Sequence, residues 1–137
     1  MNHALITGAS SGLGKQLANI LKNDFKITNL STTRTPYNDL ICDLSKELPT
    51  LPTDVDLLIL NAGVMPREKI GSITNIDEAF EVNVKTNIKI VDQLLPHLKQ
   101  RPSDIILIGS TAAFHATGDN AVYSATKAAL NAFAQSL

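Results

Sequence analysis

Tyr123 and Lys127 stand four residues apart, so on a helix a phenol and an ammonium share one face. A phenol gives up its proton near neutral pH only where positive charge stabilises the phenolate by roughly 4 kcal/mol. One cation about 4 Å away supplies that order at an effective dielectric near 20, which makes general acid–base chemistry affordable for such a pair. The same spacing also describes a packed aromatic beside a solvated lysine, so the pair takes its meaning from context. That context begins with Thr7-Gly8-Ala9-Ser10-Ser11-Gly12-Leu13-Gly14. Its glycines let backbone approach a pyrophosphate, and the free amides and positive end of a following helix favour the negative charge. The plainer alternative is a glycine turn in which Ser10 or Ser11 caps the helix. The spacing GxxxGxG differs from GxGxxG and from GxxxxGK[ST], and the latter's lysine and hydroxyl are missing, which disfavours a kinase or ATPase.

The elements that must position these groups follow from apolar periodicity. Ala4 to Thr7 is a short apolar run ended by glycine, followed by Leu13, Leu17, Ile20 and Leu21 at helical spacing, which gives strand, turn, helix. Lys26 to Leu30, Leu40 to Cys42, Leu57 to Leu60 and Ile105 to Ile108 are further strand candidates, and their unbroken apolarity implies burial on both faces, hence a parallel sheet. Ile88, Val91, Leu94, Leu95 and Leu98 fall on one helical face, halted by Gln100-Arg101-Pro102. Ala121 to Leu137 is alanine-rich, with Ala125, Ala128, Ala129 and Ala132 offering a close-packing surface on a last helix. The connection from Leu30 to Leu40 contains Pro36 and is too short for a helical crossover, so an extended loop is expected, with one or two turns near Ser45 to Leu48. The alternation predicts an α/β doubly wound, Rossmann-like sheet of order 3-2-1-4-5, with ligand at the carboxyl ends of its strands. Residues 1–137 read as one dinucleotide-binding domain, without repeat or linker.

Composition narrows the function. The chain has 137 residues, 44% hydrophobic and 18% charged, with net charge −1, so no electrostatic excess favours nucleic acid or an anionic membrane. The strongest apolar runs are far shorter than the roughly 20 residues of a membrane span. Cys42 is the single cysteine, no Cys/His cluster has metal-ligand spacing, and no leader precedes the glycine loop, so a metal-free cytoplasmic protein is expected. His3, His97 and His115 have no partners at informative spacing.

Taken together, the ordered motifs resemble the short-chain dehydrogenase/reductase family, in its branch with a TGxxxGxG loop. The matches are Thr7 to Gly14, Asn61-Ala62-Gly63 after the fourth strand, Asn83 within Val82-Asn83-Val84, Ser110 after the fifth strand, and Tyr123 with Lys127. The resemblance implies an oxidoreductase moving a hydride between a nicotinamide cofactor and a small carbonyl or alcohol substrate. In that reading Tyr123 is the general acid/base, Lys127 lowers its proton affinity and binds the nicotinamide ribose, Ser110 holds the substrate oxygen, and Asn83 anchors a water linked to Lys127, with Asn87 a rival for that role. Gly8, Ser10, Ser11, Gly12, Leu13 and Gly14 would bind the cofactor together with Asn61, Ala62 and Gly63, while Asp43 and Leu44 would touch adenine. Family members continue with two more strands and a substrate-covering segment, so this chain reads as a short or truncated member.

In such folds cofactor choice is made just after the second strand, where an acid favours NAD and an arginine accommodates the 2′-phosphate of NADP. Here Ser31, Thr32, Thr33 and Arg34 follow Leu30 with no acid before Asp39; Thr32 and Arg34 therefore point to NADP over NAD. The resemblance further implies a homodimer or homotetramer built on the helices Asn83 to Lys99 and Ala121 to Leu137. A nucleotide-binding sensor or assembly protein without turnover is the alternative from another class. A sugar-nucleotide epimerase, normally GxxGxxG, is disfavoured by the spacing of Gly8, Gly12 and Gly14.

Overall fold

A computed structural model describes residues 1–137. Strands β1 (Asn2–Thr7), β2 (Phe25–Ser31), β3 (Asn38–Ile41), β4 (Leu57–Leu60) and β5 (Asp104–Leu107) form one sheet in the order β3-β2-β1-β4-β5, with every neighbouring pair parallel. The expected order and direction are therefore present. The third strand starts earlier than apolarity alone suggests and stops before Cys42, because Asn38 and Asp39 pair in register with Thr28 and Asn29.

Two layers cover the central strands, as the unbroken run of β4 implies, whereas β5 lies at the sheet edge and Ile106 is 42% exposed, so the burial on both faces expected of Ile105 to Ile108 is not found. Helix α1 (Gly12–Leu21) lays Ala18, flanked by Leu17 and Leu21, on Ala4, Ile6, Ile27 and Ile59. On the other face Ile90, Val91, Leu94 and Leu98 of α3 (Thr86–Leu98) pack against Leu5, Leu30, Leu58 and Leu60. Each such fully buried aliphatic side chain stabilises the fold by roughly 1.5–3 kcal/mol. Ile88, assigned to the buried stripe by its spacing, is instead exposed; Ile90 takes its place. The helical run starts far upstream, as α2 (Ile76–Phe80) and a π-helical turn (Glu81–Lys85), and within α3 the buried residues Asn87, Ile90, Val91, Leu94 and Leu98 repeat at i, i+3, i+4, which leaves Ile88 on the flank of the stripe.

Helix α4 spans Ala121–Ala134. Its alanines Ala125, Ala128 and Ala132 face outwards, while Val122, Ser124, Thr126, Lys127 and Leu130 are buried. The connection from β2 to β3 is an extended loop, as its proline implies. After β3 only a turn forms, with the amides of Lys46 and Glu47 donating to the Asp43 carbonyl, and no helix appears between Ser45 and Leu48.

His3 lies on β1 at the strand end remote from the glycine loop and is buried. Its Nδ1 is 2.9 Å from Asp54 Oδ1 and its Nε2 2.7 Å from Thr28 Oγ1. The hydrogen bond to His3 holds the Asp54 carboxyl below its ordinary range. A carboxyl lowered on folding contributes stability that is complete above its unfolded pKa and is lost as pH falls through the folded value. His3→Gln is therefore expected to flatten the acid limb: urea midpoints should fall less between about pH 5 and pH 3 than in wild type. Parallel limbs would contradict this assignment.

Candidate active site

The glycine loop connects β1 to α1 through positions that accept little but glycine. Gly8 has φ +73° and Gly12 φ +53°, the left-handed region that side chains disfavour. At Gly14 a Cβ would collide with the Gly8 carbonyl and the Asn61 amide, so its absence lets α1 close onto the loop. The loop is held from below: the Gly8 amide donates to Leu30 O at 2.9 Å and the Ala9 amide to Asn29 Oδ1 at 2.9 Å. Asn61 is part of this scaffold and donates through Nδ2 to the carbonyls of Thr7 and Gly8 at 3.1 and 3.2 Å.

Whether the loop merely caps a helix is answered by its hydrogen bonds. Ser11 occupies the N-cap position with extended backbone, yet its side chain caps nothing, and the first amide with a backbone acceptor is that of Lys15. The leading amides of α1 are thus left without protein partners. Beside them a cavity of about 340 Å³ is lined by Gly8, Ser10, Ser31, Thr32, Asp43, Leu44, Ala62 and Gly63 among others, with Leu30, Val64 and Val82 as apolar wall. Free amides, a backbone approach without Cβ, and an apolar slot beyond β2 fit a dinucleotide. Ser11, Gly12, Leu13 and Gly14 stand at the start of α1 outside that cavity, and the Leu13 side chain is exposed. Arg34 lines a separate cavity of about 130 Å³ with Ser10, Lys15, Asn19 and Tyr37.

Further along the carboxyl edge lie the acid–base candidates. Lys127 Nζ sits 5.7 Å from the centroid of the Tyr123 ring. The lysine is only 5% exposed, has no carboxylate partner, and donates to Ile108 O at 2.9 Å. Burial pushes its pKa down, since taking an ammonium from water disfavours the charged form. Ser110 follows β5; its Oγ accepts from the Ala112 amide at 3.1 Å, so the plain backbone-capping role is filled while the hydroxyl proton remains free to donate.

Asn83 lies in the π-turn and is fully buried. Its Oδ1 accepts from the Val64 amide at 2.8 Å, and its Nδ2 donates to Val64 O at 2.8 Å and to Thr126 Oγ1 at 3.0 Å. Both Nδ2 hydrogens are therefore committed within the protein, while Oδ1 keeps a second lone pair. Asn87, the rival, is also turned inwards, donating to the Asn83 carbonyl at 2.9 Å. A Cβ at Gly63 would crowd Asn83 Oδ1 at 3.2 Å, so the glycine leaves that side chain its room.

Several supporting residues escaped the sequence reading. Thr126 accepts from Asn83 and donates to Tyr123 O at 2.7 Å, tying the two site elements together. Thr7 Oγ1 accepts from the Asn61 and Ala62 amides, both at 2.9 Å. Asn29 and Asp39 organise the loop carrying Arg34: Asn29 Nδ2 donates to Asp39 Oδ1 at 2.7 Å, and Asp39 Oδ2 accepts from the Thr35 amide at 2.7 Å. One signal was available, an asparagine amid the apolar run Ile27-Thr28-Asn29-Leu30, where an uncompensated amide would be costly.

Comparison with known proteins decides the ancestry. Residues 31–137 match the family model described as short chain dehydrogenase. The chain belongs to the short-chain dehydrogenase family. It is 30% identical to a protein of Staphylococcus epidermidis named uncharacterized oxidoreductase, over 98% of this chain and 69% of that one. A short-chain dehydrogenase/reductase structure from Burkholderia vietnamiensis superposes with TM-score 0.83 at 25% identity, over 98% of this chain and 74% of the other. The fold is also that of a 4-hydroxyisoleucine dehydrogenase complexed with NADH and succinate, with TM-score 0.82 and 19% identity over 97% of this chain and 70% of that one. Family membership supports an oxidoreductase and gives no support to a sensor. No helix is long and apolar enough to cross a membrane, and no group of three or more His, Cys, Asp or Glu is placed to hold a metal ion.

Proposed function

We propose that the chain is an NADP-dependent oxidoreductase that interconverts a small carbonyl compound and its alcohol. The observation that carries this reading is the Lys127 ammonium, buried beside Tyr123 without a carboxylate to neutralise it. An unneutralised buried cation is costly to the fold, and a module that only bound nucleotide would have no use for one next to a phenol. The cofactor supplies the hydride when bound.

In reduction Tyr123 gives its phenolic proton to the substrate oxygen, and in oxidation it takes that proton back, with Lys127 stabilising the phenolate. Ser110 donates to the same oxygen and holds it against Tyr123. Asn83 helps to anchor a water on the path from Lys127 to solvent. The α1 amides and Ser10 hold the pyrophosphate; Ser31, Thr32, Asp43 and Leu44 surround the adenosine half; Ala62 and Gly63 line the way to the nicotinamide. Arg34 and Lys15, two cations without carboxylate partners lining one cavity with Ser10, favour the 2′-phosphate of NADP over the bare hydroxyl of NAD. The test is to mix the protein with NADPH and a panel of small aldehydes and ketones and follow nicotinamide absorbance. Oxidation that requires the carbonyl is the expected result; its absence with both NADPH and NADH, under conditions where either dinucleotide binds, would overturn the reading.

The outward alanines of α4, with exposed Ile88 on α3, support a homodimer or homotetramer built on these helices. Light scattering is expected to give at least twice the chain mass, and a monomer at high concentration would refute it. We read residues 1–137 as one dinucleotide-binding domain working in the cytoplasm.

A further inference from the structure

We propose that the substrate of this site is a carbonyl compound that ends in a carboxylate, held there by Arg67 and Lys69; the assignment rests on the oxidoreductase reading above. The stretch from Gly63 to Ile70 runs from the acid–base pair to the segment that leads into α4. At its start a Cβ on Gly63 would lie 3.8 Å from Lys127 Nζ. At its end the Ile70 amide donates to Gly118 O at 3.3 Å, in the segment between Ser110 and Tyr123.

Side chains alternate along this stretch. Val64, Pro66 and Glu68 are partly buried, while Met65, Arg67 and Lys69 are exposed. Glu68 turns back toward α2, where its Oε1 accepts from Thr74 Oγ1 at 2.6 Å and its Oε2 from the Asn75 amide at 3.1 Å. Its carboxylate is thereby committed within its own loop. Arg67 and Lys69 pair with no carboxylate. Both lie within Coulombic reach of the segment before α4: the Thr117 hydrogen bond, aided by the charges of Arg67 and Lys69, holds the Asp119 carboxyl below its ordinary range. Asp119 is the single acid between Ile105 and Leu137, and Thr117 Oγ1 already donates to it. With Lys127 buried behind them, the charged groups around Tyr123 are mainly cationic.

Such a mouth selects by charge. An anionic end group gains two cations and displaces no ion pair, whereas a substrate ammonium is repelled. A guanidinium forks onto both oxygens of a carboxylate, and the lysine ammonium beside it adds a point charge. Met65, Ile70 and Phe114 are 48%, 72% and 72% exposed in the same two segments, a rim that suits the hydrocarbon between ketone and carboxylate. The carbonyl oxygen meets Ser110 and Tyr123 while the far end of the molecule meets Arg67 and Lys69.

Reduction of levulinate and its longer homologues by NADPH, each measured against its methyl ester, tests this. At the favoured length wild type is expected to prefer the acid about tenfold in kcat/KM, the worth of a hydrogen bond between charged groups. The preference should shrink as added salt screens the exposed cations. Arg67→Gln and Lys69→Gln should each lower the acid's value selectively, and the double variant should bring the preference to near unity. Both side chains are exposed, so circular dichroism and the unfolding midpoint should stay at their wild-type values. A wild type that reduces ester as well as acid at every length, a preference that survives the double variant, or a loss shared equally by acid and ester would overturn the assignment while leaving the oxidoreductase reading intact. A chain that reduces neither kind of substrate with either dinucleotide would overturn both.

Discussion

Tyr123→Phe is expected to lower turnover by about 10²–10⁴-fold, the usual contribution of a positioned acid or base. The dissociation constant for NADPH should stay within about twofold, because only the transferable proton is lost. The ring is partly buried and no hydrogen bond of its hydroxyl holds the fold, so phenylalanine preserves packing and the unfolding midpoint should not drop. Steady-state kinetics paired with calorimetry checks this. An active Phe variant would mean that the proton comes from elsewhere, and the hydroxyl of Ser110 would be the next group to examine.

Arg34→Ala is expected to weaken NADPH binding about 10- to 100-fold, corresponding to the roughly 1.5–3 kcal/mol of a hydrogen bond between charged groups. NADH binding should be nearly unchanged, so the effect is on selectivity. The structure explains why Arg34 is available for the task. Asp39, the first acid after β2 and the residue that could have opposed a 2′-phosphate, is turned into the loop by Thr35 and Asn29. Those hydrogen bonds and the Arg34 charge help hold its carboxyl below the usual range, against the opposing effect of burial, so it serves as an anchor of the loop. Equal losses for both cofactors would show that Arg34 supports the loop without reading the phosphate.

What the sequence disclosed divides along physical lines. Parallel strand direction was legible because Leu57 to Leu60 is too continuously apolar for a one-sided sheet, while Ile105 to Ile108 shares that pattern on an edge strand whose Ile106 is exposed. The glycine loop was legible because Gly8, Gly12 and Gly14 mark backbone states and contacts that side chains forbid. The π-turn was not. It goes with tertiary contacts that periodicity does not encode: Asn83 turns its amide onto Val64 in a loop 19 residues away, and Asn87 donates to the Asn83 carbonyl. On α4 the alanine spacing marks a face of small residues, and Ala125, Ala128 and Ala132 are exposed while Thr126 and Lys127 are buried. The roles of Asn29 and Thr126 lay in contacts between segments 20 and 43 residues apart, beyond the reach of local pattern.

Calorimetric titration of the wild-type chain with NADPH bears most directly on whether the crevice at the carboxyl edge of the sheet holds a nicotinamide dinucleotide. The expected result is saturable binding at one site per chain, tighter for NADPH than for NADH. Heats no different from dilution for both dinucleotides, from a protein whose circular dichroism shows it folded, would contradict it.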